Sequence, residues 1–238
     1  MKKIAPITVL SVLTTVIFSS QAQAATFTEM GDAGETLSTA QVIPSKETML
    51  QSISGTLSGD ADLFKIFLNG DPFSATTVGG ADFPTQLSLF DSEGMGVYFN
   101  ERTSSSVDQS TLPANNPFTP TQSGIYYLAI SVLDLDPINE AGDDIFPDLA
   151  DFSVDVPLDT ILTGVFEPTA AGAMSPLSGF DGAILDEGGS YTIALTGATG
   201  VAAEGQSVPE PASALGLLAI GALGLVSLQK NNKSKKIC

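Results

Sequence analysis

An uncharged apolar segment followed by lysines, within residues 208–238, limits how much of the 238-residue chain can fold in water. Residues 212–228 carry no charge, and at ~1.5 Å per residue a helix of this length approaches the shortest that crosses a hydrocarbon core. Residues 229–238 hold four lysines and no acid, as at the cytoplasmic end of a membrane span. We therefore expect a transmembrane helix at 212–228 with a basic tail. The alternative is a helix buried in a soluble core, but such a helix needs a polar face, and only Ser213 and Ser227 offer one.

A proline-rich motif stands directly before the apolar segment. The order Val208-Pro209-Glu210-Pro211, apolar span and lysine cluster resembles the PEP-CTERM protein-sorting signal. The resemblance implies that an exosortase, a membrane-embedded cysteine transpeptidase, recognises the motif and cuts near it to release or transfer the preceding domain. A permanent membrane anchor is the alternative. The terminal Cys238 departs from the pattern and lies too close to the end for a prenylation box.

The N-terminal residues 1–24 have the pattern of a secretory signal peptide. Two lysines precede a mostly apolar stretch, and Ala22 and Ala24 occupy the positions that a signal peptidase reads. Cleavage is therefore expected after Ala24. The two terminal segments predict the same course: export, then retention or processing at the membrane.

The exported part, residues 25–207, is long enough for one sizeable core. It contains three of the nine basic residues and all but one of the 27 acidic residues, so its net charge is −23. A field of this sign repels nucleic acid and anionic polymers and favours divalent cations, although most of these carboxylates are expected simply to be solvated. The sole cysteine is Cys238, so an apolar core or a bound metal must stabilise the exported part without disulfides.

Short runs rich in Val, Ile, Thr, Phe and Tyr are separated by Gly, Asp, Asn and Pro throughout this part, which predicts an all-β fold of the β-sandwich type. The predicted strands are 52–57, 63–68, 73–78, 86–90, 96–100, 125–133, 152–156, 161–166 and 191–195. Residues 86–90 alternate between polar and apolar side chains, as in a half-buried strand. Residues 125–133 are apolar on both faces and should lie in the middle of a sheet. The side chains predicted to face the core there are Tyr126, Leu128, Ile130 and Val132.

Two long loops are predicted between these strands. Residues 102–123 contain three prolines, which exclude a central strand. Residues 134–150 are acidic, and loops of this length in a compact domain are usually functional or disordered. Residues 25–46 are weakly periodic and are expected to form acidic, irregular structure.

Three segments resemble, in order, motifs of bacterial pre-peptidase C-terminal (PPC) domains. Ser58–Ile66 resembles the D-x-D-x-F/Y strand, Thr85–Asp91 the following strand with its acidic turn, and Ser123–Ile130 the G-x-Y-Y-L-x-I strand. The resemblance implies a jelly-roll-like β-sandwich, an accessory module of exported enzymes and surface proteins that sometimes binds calcium. The PPC-like core would cover about residues 52–133, with an extension to about residue 197.

The residue types present restrict the chemistry of the exported part. Because the chain has no histidine, a Ser-His-Asp arrangement and the usual zinc sites cannot be built. A pair of carboxylates could still serve a hydrolase, but nothing singles out one pair among so many acids. We therefore expect no catalytic residues and no enzymatic activity.

Calcium is the one cofactor that the composition suggests, since it takes six to eight oxygen ligands and acidic loops supply them. No regular ligand spacing, such as that of an EF-hand, is present. Aspartates that bond to their own turn backbone are the alternative. The candidate ligands are Asp60 with Asp62, Asp91 with Glu93, and a loop group of Asp134, Asp136, Asp143 and Asp144.

These features favour a non-catalytic surface or extracellular-matrix protein, exported and then sorted through its C-terminal signal, in a bacterial envelope that makes extracellular polymer. The runner-up is an adhesion module that binds calcium or carbohydrate and stays permanently anchored in the membrane. The partners expected are signal peptidase, an exosortase, the membrane and extracellular polysaccharide, but not nucleic acid.

Overall fold

The computed structural model describes residues 25–44, 48–148, 157, 160–161, 163–183 and 188–202. The chain divides into two compact units, Met1–Val201 and Ala202–Cys238, and the fold below is that of the first. No helix in the described ranges is long and apolar enough to cross a membrane. The predicted signal peptide, the strand at 152–156 and the helix at 212–228 lie outside the described residues.

The regular secondary structure in the described part of the first unit is almost entirely β, which confirms the predicted all-β class. The described helical structure is limited to a short 3-10 turn, Gly172–Met174, and residues 160–161. The strands are β1 (Ala25–Thr28), β2 (Gln41–Val42), β3 (Leu50–Thr56), β4 (Ala61–Leu68), β5 (Ser74–Thr76), β6 (Thr85–Phe90), β7 (Gly96–Asn100), β8 (Thr111–Leu112), β9 (Gly124–Val132), β10 (Leu135–Asn139), β11 (Val165–Phe166), β12 (Leu177–Gly182), β13 (Ser190–Thr196) and β14 (Ala198–Thr199).

These strands form two larger sheets and one two-stranded sheet. A five-stranded sheet has the order β1-β3-β13-β5-β8, and a seven-stranded sheet has the order β11-β7-β6-β9-β4-β14, with β2 also pairing β4. The third sheet is the antiparallel pair β10-β12. Pairing is antiparallel apart from β1 with β3 and β2 with β4, which are parallel.

The two larger sheets share one apolar core, the arrangement of a β-sandwich. Leu128, Ile130 and Val132 of β9 lie in this core, where they join side chains of the five-stranded sheet such as Ile53 and Ile193. These side chains are buried completely. Tyr126 is partly buried and packs against the same core, so the predicted inward face of β9 is confirmed. The jelly-roll connectivity stays a prediction.

A second apolar cluster covers the opposite face of the seven-stranded sheet. Phe146 stacks on Phe99 with ring centroids 5.3 Å apart and tilts against Phe90 at 5.9 Å. Ile145 and Leu177 complete this cover over the outward residues of β4, β6, β7 and β9. The middle of the seven-stranded sheet is therefore buried on both sides, which explains why the β9 sequence is apolar at nearly every position.

Burial on both sides corrects the half-buried prediction for β6. Gln86 and Ser88 were expected to face solvent, but each is only 3 % exposed. Ser88 lies under the second apolar cluster, on the same face of the strand as Phe90. The polar side chain of Gln86 belongs to a buried hydrogen-bond chain with Ser131 and Asp136 and not to a solvated face.

Other element boundaries also differ from the prediction. Of the strand predicted over 161–166, only β11 (Val165–Phe166) is observed. The amide of Ile161 instead bonds to the carbonyl of Pro157 in a helical turn. The supposed loop 134–150 begins with β10, and 102–123 contains the short edge strand β8. Residues 25–46 contain β1 and β2. Each added strand is short or pairs with a distant segment, so its own sequence gives a weak signal.

Truncation of a core side chain should lower the free energy of unfolding more than truncation of an exposed side chain. Leu128→Ala removes a fully buried side chain at the centre of the sandwich and should lower the free energy of unfolding by about 3 kcal/mol. Val78→Ala, at a side chain that is 45 % exposed, should change it by less than about 0.5 kcal/mol. Urea unfolding of both variants measures the difference. Equal losses would contradict a core centred on β9.

Candidate metal centre

Three aspartates converge where the chain leaves β9 and turns back along the sheet. One carboxylate oxygen from each of Asp134, Asp136 and Asp148 lies within 4.8 Å of the other two. All three side chains are half-buried. They line a small cavity of about 60 Å³ whose remaining lining is Gln86, Phe99, Glu101 and Pro147.

The backbone of the β9–β10 turn places the first two aspartates. Asp134 is the one described non-glycine residue with a positive φ, 67°, a conformation that aspartate tolerates better than most residues. This tight turn separates β9 from β10, which carries Asp136. Asp148 follows Ile145 and Phe146, whose side chains are buried in the second apolar cluster. The apolar contacts therefore bring the third carboxylate to the other two.

A buried hydrogen-bond chain fixes the orientation of Asp136. The Ser131 hydroxyl donates to Gln86 Oε1 at 3.1 Å, and Gln86 Nε2 donates to Asp136 Oδ1 at 3.0 Å. Ser131 and Gln86 are each 3 % exposed. Because an amide N–H donates to Asp136, this carboxyl oxygen is held as an acceptor.

The cavity makes negative charge costly for two of its acids. Burial raises the pKa of Asp136 to about 7, although the Gln86 hydrogen bond lowers it, and Asp148, Asp144 and Asp134 add repulsion. Burial also raises the pKa of Glu101 to about 7, with Arg102 acting in the opposite direction. Near neutral pH the group therefore shares protons or requires a positive partner.

This donor set fits a hard divalent cation better than any other group. All its ligand atoms are oxygens, three carboxylates converge, and Glu101 lines the same cavity. Calcium accepts flexible sets of carboxylate, carbonyl and water oxygens, so the half-buried cavity can supply ligands on one side and solvent on the other. A bound cation would also remove the repulsion that raises the pKa of Asp136.

Only part of the predicted loop group takes part in this cluster. Asp134 and Asp136 belong to it, but Asp143 and Asp144 are not among the three converging residues. The amide of Asp143 bonds to Asn139 Oδ1, whereas Asp144 forms a β-bridge with Ile138 and its carbonyl accepts from the Thr169 hydroxyl. Their carboxylates are exposed.

The sequence prediction missed three residues of the cavity. Asp148 lies in the acidic loop that was singled out, but its side chain could not be distinguished there from its neighbours. Gln86 lies in β6, and Glu101 directly follows β7. A glutamine in a strand that proves to be buried on both faces is a sign of a polar site, but the strand had been interpreted as half-exposed.

The candidates Asp60 and Asp62 lie at the start of β4 and have different roles. Asp60 Oδ1 accepts the amide of Ser58 at 2.7 Å, a turn contact. Asp62 is 1 % exposed, and its Oδ2 accepts the Tyr191 hydroxyl at 2.6 Å. Burial raises the pKa of Asp62 to about 7 against the effect of that hydrogen bond, and Glu29 and Asp60 add repulsion.

Asp91 and Glu93 form an ordinary hairpin turn between β6 and β7. Asp91 Oδ1 accepts the amides of Glu93 and Met95 at 2.9 and 3.0 Å. The predicted turn is confirmed, and its carboxylate is used by the backbone. The described residues bring no third acid to this pair.

The predicted processing residues lie outside the described residues. They are Ala22 and Ala24 at the signal-peptidase site and Val208, Pro209, Glu210 and Pro211 at the sorting motif.

Comparison with known families identifies the C-terminal segment. Residues 207–230 match the PEP-CTERM protein-sorting motif. This motif implies an exported protein that is sorted at the cell envelope and associated with the membrane during exosortase processing. No curated protein matches the chain. The match does not extend to the β-sandwich, so the resemblance to PPC domains stays a prediction.

Calcium should stabilise the folded chain through the three converging aspartates. At about 100 times its Kd, a ligand that binds only the folded state adds ~2.7 kcal/mol, which corresponds to a rise in Tm of roughly 5–10 °C. Asp136→Asn should abolish most of this rise, whereas Asp143→Asn, at an exposed carboxylate outside the three, should keep it. Melting curves with calcium and with chelator measure the shift. Coincident curves for the unsubstituted protein would exclude a stabilising site.

With chelator present, stability should increase as the pH falls from about 8 to about 5. The pKa values of Asp62, Asp136 and Glu101 are about 7 in the folded protein but near 4 in the reference state. Protons therefore bind the folded state more tightly, and the gain appears as the pH falls through 7. Asp62→Asn should flatten this dependence, and Asp71→Asn, at an exposed turn residue, should not. Denaturant unfolding at several pH values measures the dependence of the free energy of unfolding on pH. A loss of stability on acidification over this range would contradict the three raised pKa values.

Proposed function

We propose that this chain is an exported, non-catalytic protein of the cell surface or extracellular matrix. The β-sandwich is its functional domain, and its C-terminal segment is a sorting signal that an exosortase recognises and removes. The observation that carries the proposal is the PEP-CTERM motif at residues 207–230, which directly follows a compact all-β unit. The signal peptide predicted at residues 1–24 supports the same route, since β1 begins directly after its expected cleavage site.

The absence of catalysis is supported by the residue types in the exported part. The chain has no histidine, and its only cysteine lies beyond the sorting motif. Two of the three carboxyl groups with strongly raised pKa are engaged by neighbours: Gln86 donates to Asp136, and Tyr191 donates to Asp62. Such contacts hold carboxyl groups in fixed positions and serve a structural or cation-binding role.

A second candidate function is a calcium- or carbohydrate-binding adhesion module that remains permanently anchored in the membrane. The convergence of Asp134, Asp136 and Asp148 favours it, because calcium in this cavity would join β10 to the segment after Phe146. This candidate differs from the first in the fate of the C-terminal segment and not in the fold.

The C-terminal residue of the mature protein decides between the two. Mass spectrometry of protein recovered from the producing cells should find an end near Val208–Pro211 and no trace of Cys238. Glu210→Ala should leave an uncleaved chain, because it changes the residue between the two prolines of the sorting motif. Circular dichroism should show that the β-sandwich of this variant is still folded. An intact Cys238 in the unsubstituted protein would favour the permanent anchor. Loss of the folded β-sandwich in Glu210→Ala would contradict the separation of sorting signal and functional domain.

A further inference from the structure

The outward face of the five-stranded sheet carries almost nothing but hydroxyl groups. Twelve strand residues alternate with the buried ones and point away from the core, and eleven of them are Ser or Thr. We call this surface the hydroxyl face. Its members are Thr26 and Thr28 of β1, Ser52, Ser54 and Thr56 of β3, Ser190, Thr192, Ala194 and Thr196 of β13, Ser74 and Thr76 of β5, and Thr111 of β8.

The strand register aligns these hydroxyl groups in rows across the sheet. Thr28 is opposite Ser54, which is opposite Thr192. In the next row Ala194 lies between Ser52 and Thr76. With strands ~4.8 Å apart and ~6.8 Å between alternate residues, the face measures about 20 Å by 20 Å. Hydrogen bonds join some neighbours, such as Ser54 Oγ to Thr192 Oγ1 at 3.1 Å.

The lack of charge on this face is unexpected in such an acidic protein. None of the twelve positions holds a charged residue, although the exported part carries a net charge of −23. Edge strands such as β1 and β8 commonly carry charged side chains, which keep sheets from associating. Threonine is a good strand former, but serine is not, so strand propensity alone does not account for the four serines. The face is therefore suited to a partner without charge.

An open groove lies at one corner of the hydroxyl face. It has a volume of about 440 Å³, and five of its lining residues belong to the face: Thr28, Ser54, Thr56, Ser190 and Thr192. Gly55 also lines it, and a Cβ on Gly55 would collide with the Glu29 carboxylate and the Tyr191 hydroxyl. Glu29 also lines the groove and can accept further hydrogen bonds there, since each carboxylate oxygen accepts more than one.

We propose that the hydroxyl face binds a neutral polysaccharide, with one stretch of the polymer in the groove and the rest crossing the strands. The inference rests on the proposed export to the cell surface and names the surface that would contact the matrix. Hydroxyl groups donate and accept, as sugar hydroxyls do, and the threonine methyl groups can pack on the apolar faces of sugar rings. An anionic polymer is disfavoured by the net charge. A rigid crystalline surface is disfavoured because sheets twist by about 20° per strand, which a flexible polymer can follow.

Affinity electrophoresis of the full-length chain in neutral detergent tests this proposal. Native gels contain hydroxyethyl cellulose, dextran or galactomannan as neutral probes, or alginate as the anionic probe. All gels contain chelator, which keeps divalent cations from binding to the carboxylate cluster. We expect at least one neutral probe to retard the chain and alginate to leave its mobility unchanged. Each removed hydroxyl should weaken binding about fivefold, so Thr76→Val, Thr192→Val and Thr196→Val together should nearly abolish retardation.

Thr121→Val is the matched control, because Thr121 is exposed in the loop before β9 and lies off the hydroxyl face; it should bind like the unsubstituted chain. Circular dichroism verifies that the triple variant folds, and Thr192→Glu, which adds a charge in the groove, provides a second variant. Unchanged retardation of both variants would overturn the proposal, as would retardation by alginate alone. The unsubstituted chain could instead bind no polymer but self-associate as its concentration rises, and the triple variant could lose this association. That result would overturn the proposal and identify a second copy of the chain as the partner of the hydroxyl face. None of these results alters the mature C-terminus, so the sorting function is judged separately.

Discussion

Burial of the seven-stranded sheet on both faces is the constraint from which the rest of the structure follows. One face of β9 packs into the sandwich core, and the other needs a second apolar cover. Ile145, Phe146 and Leu177 supply that cover, so the chain after β9 must fold back across the sheet. The return path carries Asp148 to the end of β9, where Asp134 and Asp136 already lie. The acidic cluster is thus a consequence of apolar packing.

Apolar packing of this kind buries carboxyl groups in two places, and the pKa is raised to about 7 in both. At the start of β4, the Tyr191 hydroxyl donates to buried Asp62. In the cavity, Gln86 donates to Asp136, and one such bond does not offset three nearby carboxylates and the burial. A proton or a cation must complete the second site. Low pH and calcium are therefore alternative ways to relieve the same repulsion, and they should compete for it.

Local signals explain which parts of the fold could be predicted. Strand β7 was predicted with its observed bounds, and β6, β9 and β13 within a residue or so, because each is a long apolar or alternating run bounded by turn residues. Strands β1, β8 and β10 were missed because their stability comes from distant partners. The same limit applies to the site: Asp134 and Asp136 share a turn and were predicted, whereas Glu101 joins them only through the position of β7. Sequence spacing carries no signal for such a contact.

The hydroxyl face lies on the five-stranded sheet, and the carboxylate cavity lies beyond the seven-stranded sheet, on its face turned away from the sandwich core. The apolar core of the sandwich separates the two surfaces. The serine and threonine alternation is visible in residues 52–56 and 190–196. It becomes a surface only because β13, from the far end of the chain, inserts between β3 and β5. Five separate segments then share one polar surface, which requires the same residue type at positions more than a hundred residues apart.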